Sequence, residues 1–179
     1  MGRLRFATLR PEDLGEIALQ PSQRRHQTQL PFEDGPEVRA LLCAQPVAWV
    51  ARESGRIVAC FGIFERFPGA HGQAWALLAE GIGFAHLELT RFIQTQIAGC
   101  GLARLELLAP APDVEAELVE IGGHPLDLAW RQPTPEMRWA VLLGMEPVHL
   151  LRQFGPLGIT LMLFERIRAP QTATERMAA

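Results

Sequence analysis

Three residue types never occur in the 179-residue chain: lysine, tyrosine and asparagine. All seventeen basic residues are arginine. The codons of the three missing types begin with two A/U bases, which points to a GC-rich coding sequence. The chemical consequences hold whatever the origin. Without lysine there is no Schiff-base amine and no P-loop lysine. Without tyrosine there is no phenol to act as a general acid. Serine occurs only at Ser22 and Ser54, neither in a G-x-S-x-G elbow, which argues against a serine hydrolase. Cysteine is scarce and odd in number: Cys43, Cys60 and Cys100 form no C-x-x-C and lie at no ligand spacing from histidine, so neither a disulfide framework nor a metal site is expected. Cys60, in a strongly apolar stretch, reads as a small core residue. Reduced thiols in the cytoplasm are the default for such a chain. The opening residues lack the apolar run of a signal peptide, and Phe6 stands where N-myristoylation needs Ser or Thr. The longest apolar stretch, around residues 75–89, is broken by Glu80 and His86, so no membrane span is expected.

What remains is a chain with 48% hydrophobic and 21% charged residues and a formal charge of −3. That length supports one compact domain over residues 1–168, with a small, polar, disordered tail over 169–179. The charge offers no field that would draw it to nucleic acid or an anionic membrane. Residues 4–9 predict a short strand, and Pro11-Glu12-Asp13-Leu14 a helix start. Residues 20–36, with three prolines, predict a loop or broken helices. A short helix over 37–44 stops before Pro46. Residues 47–52 and 56–64 predict a hairpin turning at Glu53-Ser54-Gly55, apolar on both faces and so covered on both sides. A strand over 73–78, a glycine-bearing loop, a helix over 84–97 and a strand over 102–108 follow, which is a crossover unit. A weaker helix over 113–121, a helix over 135–143 closed by Gly144, and a final strand pair over 147–154 and 159–167 complete the chain.

This order, together with Gln73-Ala74-Trp75-Ala76-Leu77-Leu78, His86, Arg91, Arg138-Trp139, Leu143-Gly144-Met145-Glu146, Phe154-Gly155-Pro156 and Leu163-Phe164-Glu165-Arg166, resembles the GNAT (Gcn5-related N-acetyltransferase) superfamily. It is most similar there to short GNAT-like proteins of tailed phages and prophages. The match spans roughly residues 45–167, with 109–134 an apparent insertion. The resemblance implies an α/β fold with a mixed, mostly antiparallel central sheet and helices on both faces. It also implies acetyl-CoA as co-substrate, lying between the fourth and fifth strands where they splay apart at a bulge. The acceptor would be a small-molecule or protein amine. The alternative is a catalytically degenerate phage or prophage protein with a structural or interaction role among virion proteins. The location implied is the cytoplasm of a bacterial host, with virion association for the second reading.

The resemblance places the cofactor pyrophosphate on Leu78, Ala79, Gly81, Ile82, Gly83 and Phe84. Gly81 and Gly83 match the two small positions of the superfamily pattern, whereas Leu78 stands where that pattern has Arg or Gln. A helix N-terminus preceded by glycines suits phosphate, because it offers unpaired amides and a favourable dipole. Taken alone, Gly-x-Gly is also an ordinary strand-to-helix turn. The candidate bases are Glu65, His71 and Glu80, each with a plainer reading as a strand end, a turn residue and a first-turn helix acid. The superfamily's acid is often a tyrosine; here only a water or Cys100 could replace it. Trp75 and Trp139 read as core anchors, and His86 and Arg91 as packing or ion-pairing residues beside Glu88.

Overall fold

The computed structural model describes residues 3–26, 35–154 and 158–168. Apolar residues alternate between the two faces of its strands, and each face meets its own layer of helices. The strands are β1 (Arg5–Thr8), β2 (Val47–Glu53), β3 (Arg56–Phe67), β4 (His71–Leu78), β5 (Arg104–Pro110), β6 (Glu146–Phe154) and β7 (Ile159–Ile167). They form one sheet in the order β1-β2-β3-β4-β5-β7-β6, antiparallel except between β4 and β5. The expected α/β class with a mixed, mostly antiparallel sheet is the observed one.

The helices are α1 (Pro11–Glu16), α2 (Pro21–His26), α3 (Pro36–Cys43), α4 (Ala85–Gly99), α5 (Glu115–Ile121), α6 (Pro125–Arg131) and α7 (Pro135–Leu142). On one face, Leu89, Ile93 and Ile97 recur every fourth residue along α4 and pack with Met137 and Ala140 of α7, Leu128 of α6 and Phe164 of β7. On the other, Leu9, Ile17, Ala48, Val50, Ile57 and Cys60 form a second core, with Leu14 of α1, Cys43 of α3, Trp75 and Leu77 against it. β2 and β3 are therefore covered on both sides, as their two-faced apolar pattern predicts.

Three local differences from the sequence reading have physical reasons. β3 runs on to Phe67 because a register shift between Glu65 and Phe67 lets it continue past its pairing with Gly72, and β4 accordingly begins at His71. The stretch 109–134 holds two helices, not one. Pro125 starts α6 at a first-turn position that needs no amide, and Gly122 and Gly123, at φ +65° and +106°, make the turn before it. At the far end, β6 forms one edge of the sheet with two register shifts and Pro147 within it. The tail 169–179, residues 27–34 of the proline-rich segment and 155–157 of the last turn lie outside the described residues.

Candidate active site

β4 and β5 pair for only four steps, from His71 opposite Arg104 to Ala74 opposite Leu107. Beyond that point β4 follows β3 as far as Leu78 opposite Ala59, while β5 follows β7 as far as Pro110 opposite Leu161. The two halves of the sheet diverge, each with its own partner. The bulge expected at the divergence is elsewhere: β3 and β4 stay in register from Gly72 to Leu78, and the shift sits at the closed end. The opening is a cleft of about 180 Å³, lined by Trp75 and Ala76 of β4, Leu108 and Ala109 of β5, Ile93 of α4 and Trp139 of α7. Among the described residues its wall carries one carboxylate, Glu136, and one guanidinium, Arg39.

α7 is held at the mouth of the cleft by its first residues. Thr134 caps the helix by accepting from the Met137 amide at 3.1 Å, and its hydroxyl donates to the Pro110 carbonyl at the end of β5 at 2.7 Å. Trp139 is fixed from α4: its indole N–H donates to the Thr90 hydroxyl at 2.9 Å, which itself donates to the His86 carbonyl at 2.7 Å. The His86 ring leans on Trp139 with centroids 5.1 Å apart, and burial lowers its pKa, which favours the neutral ring. Trp139 is thus both an anchor and a cleft wall. Arg91 is exposed, and Glu88 accepts from the Leu4 amide at 3.3 Å.

The loop from Ala79 to Phe84 joins β4 to α4 just past the open end of β4, and none of its residues lines the cleft itself. Gly81 and Gly83 have φ of +72° and +53°, the left-handed region that favours glycine, and nothing packs within 4 Å where a Gly81 Cβ would stand. The amides of Ala85, His86 and Leu87 bond the carbonyls of Ile82, Gly83 and Phe84. Those of Gly81, Gly83 and Phe84 donate to no described residue, so they remain available to an anion at the positive end of the helix. Leu78, the last residue of β4, and Ala79, which follows it, are buried, and Phe84 is 84% exposed. Among the described residues, two arginines meet this loop. Arg24 pairs with Glu80 at 3.1 Å, and Arg56 donates to the Glu80 carbonyl at 3.2 Å.

The three candidate bases are not brought together. Glu80 is turned to Arg24 at the open end. Glu65 accepts from the Gly69 amide at 2.9 Å and closes the β3–β4 turn. His71 begins β4 at the closed end, roughly 23 Å from Leu78 at a strand's rise per residue. Its ring stacks on Phe67, and its Nε2 lies 3.2 Å from Glu106 without the alignment of a hydrogen bond. Glu106 is shared with Arg104, which also pairs with Glu165. Cys100 donates to the Ile97 carbonyl at the other end of α4 from the loop. The carboxylate that does line the cleft, Glu136, has no signal in the sequence beyond its place in the first turn of a helix.

Neither a family model nor a curated relative matches the sequence. Solved structures do match. An aminoglycoside 6'-N-acetyltransferase complexed with coenzyme A superposes with a TM-score of 0.62 at 15% identity, covering 94% of this chain and 99% of that one. The ribosomal-protein-S5-alanine acetyltransferase from Vibrio fischeri gives 0.58 at 13%, covering 96% and 97%. The chain has the GNAT fold. The GphF GNAT-like decarboxylase in complex with isobutyryl-CoA also shares it, with a TM-score of 0.62 at 14% identity, covering 92% and 98%. One GNAT framework therefore carries different reactions, and the site must decide between them. No described helix is long and apolar enough to cross a membrane.

Proposed function

We propose that the chain binds an acyl-CoA in the cleft between β4 and β5 and transfers the acyl group to a primary amine. The observation that carries this reading is the divergence of the two strands into an apolar cleft, with a glycine-bearing loop just past the open end of β4 leading into a 15-residue helix. The Gly81, Gly83 and Phe84 amides are suited to the pyrophosphate, with Arg56 beside them. Arg24 offsets the charge of Glu80 there. Acetyl-CoA is the donor that the GNAT resemblance implies, with a small-molecule or protein amine as acceptor. In the reaction the amine nitrogen attacks the thioester carbonyl, the carbon–sulfur bond breaks, and the nitrogen's proton passes to a base while the thiolate leaves. Glu136 is our candidate for that base, because it lines the cleft where Glu65, His71 and Glu80 do not.

A second reading keeps the fold without the chemistry, as an interaction protein of a phage particle or prophage. It is favoured by the cleft edge of β4, which already has hydrogen-bond partners within the chain. Calorimetric titration with acetyl-CoA and CoA separates the two. We expect micromolar binding that is abolished by Gly83→Asp, which puts a side chain at φ +53° and a carboxylate beside the phosphate site. No heat at millimolar ligand overturns the acyl-CoA reading and directs attention to particle association.

A further inference from the structure

Among the described residues, β4 past Ala74 has no neighbouring strand on its cleft side, and backbone groups on such an edge need partners. They find them in residues 18–23. The Gln23 side-chain amide on α2 donates to the Ala76 carbonyl at 2.8 Å and accepts from the Leu78 amide at 2.6 Å. The Gln20 amide donates to the Leu78 carbonyl, and the Glu80 amide to the Ala18 carbonyl, both at 3.0 Å. Leu19 bridges Ala79 in antiparallel fashion. The Ala79 amide donates to Val58 of β3, so the alternate residues Ala76, Leu78 and Glu80 direct their groups away from β3, toward the cleft. Gln23 itself lines that cleft.

A carboxamide that donates to one strand carbonyl and accepts from the amide two residues on copies the pairing of an extended amide chain laid along the edge. The arm of an acyl-CoA between pyrophosphate and thioester contains two secondary amides. To bring the thioester into the cleft from a pyrophosphate at Gly81 and Gly83, that arm must pass Leu78 and Ala76. We infer that Gln23 is a built-in competitor for the donor's amide arm, holding the Ala76 and Leu78 groups until the donor displaces it. This rests on the acyl-CoA reading. The apparent affinity is then lower than the intrinsic one by the fraction of molecules in which Gln23 is released.

The test titrates the full chain and its Gln23→Ala and Gln23→Glu variants with acetyl-CoA and CoA, and follows hydrogen exchange of the unmutated chain with and without acetyl-CoA. Gln23→Ala is expected to bind about tenfold more tightly, since two hydrogen bonds no longer oppose the ligand. Gln23→Glu keeps the acceptor for Leu78 but has no donor for Ala76, and is expected to tighten binding as well. In the unmutated chain acetyl-CoA should speed exchange over residues 18–26 while slowing it at the start of α4. Equal affinities, with exchange over 18–26 unchanged or slowed, overturn the competition and leave the cofactor site standing. No binding by any of the three chains overturns the acyl-CoA reading and the competition with it.

Discussion

A single methyl group at Gly62 would collide with the neighbouring strand β2 and with Trp75. A Cβ there would stand 2.4 Å from the Val47 carbonyl oxygen and 3.1 Å from Cζ2 of Trp75. The first contact is with backbone of a paired strand and cannot relax without shifting the β2–β3 ladder. Gly62→Ala is expected to destabilise the fold by about 2 kcal/mol, read as a lower urea midpoint; an unchanged midpoint would show that the ladder yields freely. Gly62 is silent in the sequence, because its neighbours only exist once β2, β3 and β4 have assembled. Gly81 and Gly83 were legible, since a positive φ between a strand and a helix calls for glycine locally. Arg24, Arg56, Gln23 and Glu136 were not. Each reads as an ordinary solvated side chain until folding brings Arg24 to Glu80, or Gln23 to Ala76, across more than fifty residues.

Short helices depend on single anchors, and α1 shows how. Asp13 is buried, accepts from the Arg10 amide at 2.9 Å, and pairs with the Arg52 guanidinium of β2. It closes the first turn of α1 and ties that helix to the sheet. Because Arg52 is partly exposed, water screens the pair, and Asp13→Ala is expected to cost about 2 kcal/mol through the lost cap and the lost charged hydrogen bond. Asp13→Asn, which can keep the acceptor for Arg10, should recover part of that loss in the same denaturation measurement. Recovery of none would place the whole effect on charge. Long elements with a clear period, α4 above all, could be read from sequence. α6 could not, because Pro125 reads equally as loop punctuation and as a helix start, and only packing of Leu128 and Ala129 decides.

Across the whole molecule the two cores share the central strands, so β3 cannot open without exposing both. Its Cys60 is fully buried, and burial, with the Asp13 charge adding to it, pushes the thiol's pKa up to about 12. At pH 8 roughly one thiol in ten thousand would be ionised even if reached. Labelling of Cys60 is therefore expected only through global unfolding, with the same denaturant slope as the equilibrium transition. A shallower slope would show that β3 opens on its own. The order of strands was legible from pattern and resemblance, whereas the length over which β4 and β5 stay paired was not. That length is a compromise between two half-sheets, each following its own twist, and no local residue encodes it.

The rim of the sheet has a bearing on how these molecules behave in a crowd. β1, at one edge, is four residues long, and β6, at the other, is interrupted by two register shifts, by Pro147 with no amide to donate, and by Gln153 at φ +50°. A strand arriving from a neighbouring molecule would meet a broken row of donors and acceptors at either side. The seven strands consequently close the sheet off as a finite object, and concentrated chains resist fusing edge to edge into fibrils.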